Sequence, residues 1–199
     1  MGVAAGAHDK QVVRWDIINL VPGPAANAGG VASAKATNAG GTETSTITMT
    51  GAGTFEVPEE DEEGNDVTGG GMWMITTGAV GSSGTYKVTG VVSWTEAPGT
   101  IAIGDGIGNP ADRRAGLAVL RIEYSDGDLG TLVVSCALAG TPPTVFEGIT
   151  ATKGFTGYWK AQVPTGSPTT ANANRTLFHV MSEEGNPSSS RIRRHSEKL

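Results

Sequence analysis

One cysteine, Cys136, stands among the 199 residues, so no intrachain disulfide can form and no cysteine-based zinc site exists. Three dispersed histidines, His8, His179 and His195, show no metal-ligand spacing. No metal site and no cofactor is expected. No stretch approaches the roughly 20 apolar residues with which a helix crosses a bilayer, so no membrane span is expected. The opening residues lack a basic segment followed by an apolar run and are not an intact signal peptide. A cytoplasmic location and export with a leader already removed both stay open. There is no Gly-x-Ser-x-Gly elbow. Gly104-Asp105-Gly106-Ile107-Gly108 lacks the Lys-Ser/Thr of a P-loop and the Gly-x-Gly-x-x-Gly spacing, and reads as a flexible loop.

Positive charge is also in short supply, with 14 Lys+Arg against 20 Asp+Glu and a net charge of −6. Only the C-terminal tail leans basic, with Arg191, Arg193, Arg194 and Lys198 against Glu183, Glu184 and Glu197. An acidic body repels phosphate backbones, so no nucleic-acid partner is expected. Glycine, by contrast, is abundant at 30 of 199 residues. It follows no Gly-X-Y period but punctuates short apolar stretches, as turns do. A hydrophobic content of 38% is enough for a core.

Period-two alternation recurs along the chain and predicts strands. The first, near 12–20, alternates Trp15 and Ile17 with Arg14, Asp16 and Ile18, and Pro22 and Pro24 end it. Ala32, Ala34 and Ala36 form the small-residue face of a second, with a flexible Ala/Gly linker as the alternative. Ile47, Met49, Phe55 and Val57 then share a face, interrupted by Gly51 and Gly53 as a bend or bulge would do. An acidic loop, Glu59–Asp66, precedes strands near 71–77 and 85–96. Residues 97–115 read as loop. The best hairpin spans 116–139 around Ser125-Asp126-Gly127-Asp128, because Asp-Gly between alternating runs is a strong hairpin signal. Further strands are predicted near 145–158 and 175–181, with a loop at 163–174 and the one helix candidate, a single turn, at Phe155–Ala161. The result is an all-β fold, an antiparallel barrel of about eight strands or a two-sheet sandwich. Residues 1–11 are expected as a flexible N-terminus, 12–181 as one domain and 182–199 as a disordered tail.

Thr50-Gly51-Ala52-Gly53-Thr54-Phe55 and Gly84-Thr85-Tyr86 resemble the glycine-rich strand starts of dirigent proteins and allene oxide cyclases, and Phe146-Glu147-Gly148 is similar to their Phe-x-Gly element. The resemblance covers about 40 residues. It implies an eight-stranded barrel around an apolar cavity and carries over no catalytic residue.

His179 in the last strand, with Arg175 four residues before it and Glu123 in the hairpin, are the candidate catalytic side chains, His179 as an acid or base. A hydrogen-bonded strand histidine and a solvent-facing Arg121–Glu123 pair are the plainer readings. Cys136 alternates with Leu132, Val134 and Leu138 and belongs in the core, where a thiol is inert. The acidic loop is a solvated loop before it is a calcium site. Trp15, Phe55, Trp73, Trp94, Tyr124 and Phe178 lie on separate strands, and a barrel would bring them to one interior, as a core or as the lining of a pocket for a small apolar ligand. Three functions follow as expectations. The first is a binding or assembly module, homo-oligomeric in its assembly form. The second is a cyclase- or isomerase-like enzyme using the same cavity. The third is a structural subunit with segments 21–41 and 182–199 as arms.

Overall fold

The computed structural model describes residues 11–21, 23, 25–57, 66–100, 103–166 and 172–181. The expected N-terminal segment up to residue 10, most of the acidic loop and the tail from 182 lie outside the described residues. The rest is all-β, with 64% of residues in strands and no α-helix among the described residues.

The strands are β1 (Val12–Ile17), β2 (Ala25–Ala26), β3 (Ala32–Thr37), β4 (Glu43–Met49), β5 (Ala52–Glu56), β6 (Gly70–Thr77), β7 (Val80–Ala97) and β8 (Gly104–Asp105). After a 3-10 turn at Pro110–Asp112 come β9 (Arg113–Tyr124), β10 (Leu129–Cys136), β11 (Gly148–Lys153), β12 (Thr156–Tyr158), β13 (Lys160–Ala161) and β14 (Thr176–Met181). One large antiparallel sheet runs in the order β12-β11-β10-β9-β14-β1-β5-β6-β4-β3-β13. The long β7 pairs with both β6 and β9, so part of this sheet closes into a ring. β2 and β8 form a separate parallel pair.

Local chemistry explains the elements. Asp126-Gly127 makes the turn between β9 and β10, with Gly127 at φ 92, a conformation that costs glycine nothing. The interruption at Gly51 separates β4 from β5. A methyl group added there would stand 2.3 Å from the Tyr86 hydroxyl, so glycine leaves the space in which Tyr86 reaches the Thr50 carbonyl at 2.8 Å. The helical turn expected at Phe155–Ala161 is corrected to the extended pieces β12 and β13. Tyr158 faces inward at 3% exposure while Phe155 and Trp159 point to solvent, a strand's alternation with β11 and β3 supplying the hydrogen bonds.

Inside, Trp94 stacks edge-on against Phe55 and Phe178 at 6.1 and 4.6 Å. Trp73 and Tyr86 both pack against Tyr124, at 5.6 and 6.4 Å. Such pairs contribute about 0.5–1.5 kcal/mol each beyond their area. Trp15 and Cys136 are fully buried. The alanine face of β3 is also core, with Ala32 and Ala34 at 0% and Ala36 at 4% exposure, and β3 pairs with β4 and β13. Small side chains here let β3 pack closely against β11 and β12 across the interior. Ala34→Leu should therefore lower stability by about 1–3 kcal/mol through overpacking. Lys35→Leu, on the outer face, removes one of the two lysines paired with Glu43 and should cost no more than about 1 kcal/mol. Urea denaturation of both variants checks the pair.

Candidate functional site

β1 and β14 pair along their whole length, and both are buried on two faces. Val13, Trp15, Phe178 and Val180 face the aromatic core. Alternation turns Arg14, Asp16, Leu177 and His179 to the other face. That face is covered by the connection between β7 and β9, which carries β8. Asp16 and His179 on it thus have no water to fall back on, while Arg14 keeps 34% of its side chain exposed.

Arg14, His179 and Arg113 are neighbours in register across β1, β14 and β9. Two carboxylates balance them. Asp16 takes a bidentate pair from Arg14 Nε and Nη2 at 2.8 and 2.9 Å, and this bond raises the Arg14 guanidinium pKa. Asp105 comes from the covering connection. Its Oδ1 accepts the N–H groups of Ile107 and Gly108 at 3.0 and 2.9 Å. Its Oδ2 lies 2.8 Å from His179 Nε2 and 3.7 Å from Arg113 Nε. Burial acts to raise the Asp105 carboxyl, but the His179 bond and the Gly108 and Ile107 N–H groups together outweigh it and hold the pKa below its ordinary value. Facing a carboxylate, His179 Nε2 carries the hydrogen, while the buried Nδ1 has no partner. Gly108 lies so close to the imidazole that an added methyl would stand 2.8 Å from the ring. The glycine-rich segment read as a flexible loop is therefore fastened to the strands by a buried ionic latch. Asp105→Ala would leave His179 Nε2 and two N–H donors without their acceptor and take the counter-charge from Arg113. It should cost about 3–5 kcal/mol in urea unfolding, as removal of one partner from a buried pair does.

Farther along the same face lies a cavity of about 140 Å³. Ile18, Leu20, Leu138 and Leu177 give it apolar walls, and Glu147 and Arg175 are its charged members. Gly148, at φ 110, begins β11 and leaves Glu147 beside the ends of β10 and β14. The two Glu147 oxygens accept the N–H groups of Ala137 at 2.6 Å and Thr176 at 2.7 Å, tying those strands together. Burial pushes the carboxyl up to about 7, against the pull of those N–H groups and of the Arg175 charge. The nearby Cys136 thiol is raised as well, by burial first and by Glu147 second, and is inert. Arg175 is presented by Asn174, which adopts φ 62 and is held by three hydrogen bonds. Its side chain accepts from Ser33 N–H at 2.8 Å and donates to the Val163 carbonyl at 2.9 Å, and its own N–H donates to the Val31 carbonyl at 2.8 Å. Arg175 Nε is shielded from solvent and has no hydrogen-bond partner.

A larger cleft of about 420 Å³ lies between Pro98–Thr100 and Pro110, beside Arg113 and Arg114. Both guanidinium groups there already donate to backbone carbonyls, and Arg114 also pairs with Glu96 at 3.2 Å. Among the described residues no group of three or more His, Cys, Asp or Glu is placed to hold a metal ion, and no helix is long and apolar enough to cross a membrane.

The structure thus places Arg175 and His179 on one covered face, two alternating positions apart. Glu123 lies elsewhere, on the outside of β9, and pairs with Lys87 of β7 at 3.0 Å rather than with Arg121. Trp15, Phe55 and Phe178 are gathered in the core on the opposite face of β14 with the partly buried Trp94 packed against them, and Trp73 and Tyr124 meet farther along the sheet beside Lys153. Sequence reasoning missed Glu147, Asp105 and Asp16. Asp16, between Trp15 and Ile17 and two residues from Arg14, carried a signal, since a carboxylate inside a buried strand needs a nearby cation. Compared with protein-family models, curated proteins and solved structures, the chain matches none.

The raised Glu147 carboxyl has a consequence for stability. The folded state holds the proton more tightly than the unfolded chain, so the stabilisation is complete below pH 4.5 and is lost as pH rises through about 7. The loss should be on the order of 2 kcal/mol, allowing for the part of the side chain that water still reaches. Glu147→Gln should be less stable throughout, because its NH2 faces one of two N–H donors, but should lose this slope. Thermal unfolding between pH 4 and 8 reads both effects.

Proposed function

We propose that the chain is a small-molecule binding module, a β-barrel whose ligand site is the cavity between Ile18, Leu138, Leu177, Glu147 and Arg175. One observation carries this reading: an apolar-walled cavity with two charged side chains in its lining, Arg175 and a Glu147 held by two backbone N–H groups. Binding sites are built in this way, from apolar walls and a few placed polar groups. The cavity is near the roughly 150 Å³ that accommodates one benzene ring. The aromatic residues of the core pack on one another, so the ligand space is sought on the other face of β14.

The enzyme alternative draws on Arg175 and His179. It is the weaker reading, because Gly108 packs on the imidazole, whose Nε2 is committed to Asp105, and the cavity wall contains Arg175 but not His179.

Toluene titration followed by methyl NMR tests the binding reading. Saturable shifts are expected for Ile18, Leu20, Leu138 and Leu177. Leu138→Trp, which fills the cavity from the end of β10, should abolish them while leaving the far-ultraviolet circular dichroism of the fold unchanged. Methyl signals that stay unmoved up to the solubility of toluene would defeat the proposal.

A further inference from the structure

The β6–β7 hairpin runs on past the strand that covers its edge. β7 pairs with β6 from Val80 onward, but with β9 only from Tyr86. Thr85 marks the limit. Its N–H donates to the Ser125 hydroxyl at 3.0 Å, and its carbonyl accepts the Ser125 N–H at 2.8 Å. These groups point away from β6, and along an antiparallel strand that direction recurs at every second residue. Gly81 and Ser83 therefore turn their N–H and C=O groups outward too, and among the described residues no strand pairs with them there. From Thr76 to Ser83 the hairpin is exposed on both faces.

An edge of this kind is ordinarily blunted by a charge, a proline, a bulge or a covering segment. Here no residue between Asp66 and Lys87 is charged or is proline, in a chain of net charge −6. The register shifts of β7 fall between Val88 and Ser93, beyond the free stretch. A foreign strand is selected through its side chains, and Gly81-Ser82-Ser83-Gly84 offers little to select with. The same run suits a second copy of itself. Two-fold pairing sets an edge against its own sequence, so any charge on it would meet a like charge, and this edge has none.

We infer that two copies of the chain associate edge to edge through Gly81–Gly84, antiparallel about a two-fold axis at Ser82. Gly81 of each copy then faces Ser83 of the other, and four N–H···O bonds join the two hairpins into one four-stranded sheet. A contact of this size lies at the small end of specific interfaces, which bury roughly 1,200 Å² or more, so a dissociation constant on the order of 100 µM is expected. The association is independent of the cavity and its ligand.

Sedimentation equilibrium of the full chain from about 5 to 500 µM tests the inference. With that constant, the average mass should rise from close to one chain to beyond about one and a half, without passing two. Ser83→Pro removes an outward N–H and leaves the β6 ladder intact, while Ser83→Lys brings like charges together across the axis. Both should stay at one chain throughout, with urea midpoints near that of the full chain. Met74→Lys, on the exposed face of β6 and not at the edge, should associate as the full chain does. A mass of one chain at every concentration would overturn the inference, and a mass above two would overturn the two-fold closure. Association retained in both Ser83 variants, or lost in Met74→Lys alone, would overturn the edge as the contact.

Discussion

A strand pair with no solvent-facing side must satisfy every polar group it carries from within the protein. β1 and β14 are such a pair, and much of the molecule is arranged around that constraint. On one face the strands carry few polar groups: the Thr176 hydroxyl donates to the Ser135 carbonyl at 2.6 Å, and the buried Trp15 indole N–H has no partner. On the other, Asp16 and His179 are buried and Arg14 is half-buried, and each buried group needs a partner of matching charge or hydrogen-bonding type. Asp16 and Arg14 supply one another. His179 is supplied from outside the sheet, by Asp105. The connection between β7 and β9 is thereby drawn onto the strands, and the covered face comes into being.

Farther along that face, segments from the ends of β1, β10 and β14 enclose a cavity. Glu147 closes one end by bonding the backbone where β10 ends and β14 begins, an edge where strand N–H groups would otherwise lack acceptors. Arg175 stands at the same end because Asn174 turns the chain there. Ionic latch and cavity are two sections of one face, related by the two-residue period of β14 through Arg175, Leu177 and His179. The aromatic core behind them gives this face a rigid backing. Glycines at the crossing points, such as Gly51 under Tyr86, let strands and rings come close enough for that packing.

Much of this was legible in the alternation of the sequence. The all-β class, the Asp-Gly hairpin, the bend at Gly51, the alanine face of β3 and the inward Cys136 each depend on a local pattern of two to ten residues, which a strand's fixed geometry turns directly into inside and outside. The failures were also local in cause. The 155–161 segment has three aromatics, Phe155, Tyr158 and Trp159, at spacings of three and four that suit a helical turn as well as a hairpin, and only the neighbouring β11 and β3 decide between them. The Gly-Asp-Gly run looked unconstrained because its constraint, His179, lies 74 residues away.

The sequence alone determined which side chains alternate, where turns must fall and that an acidic, disulfide-free chain builds its core from strands. Only the tertiary structure decided which strands meet, that part of the sheet returns on itself, and that Asp105, Glu147, Arg175 and His179 share one sheltered face. The physical reason is range. Alternation and turn chemistry act between adjacent residues and are written in the chain. Charge pairing and cavity formation act between segments far apart in sequence, and arise only once chain folding has removed the water that would have satisfied each group separately.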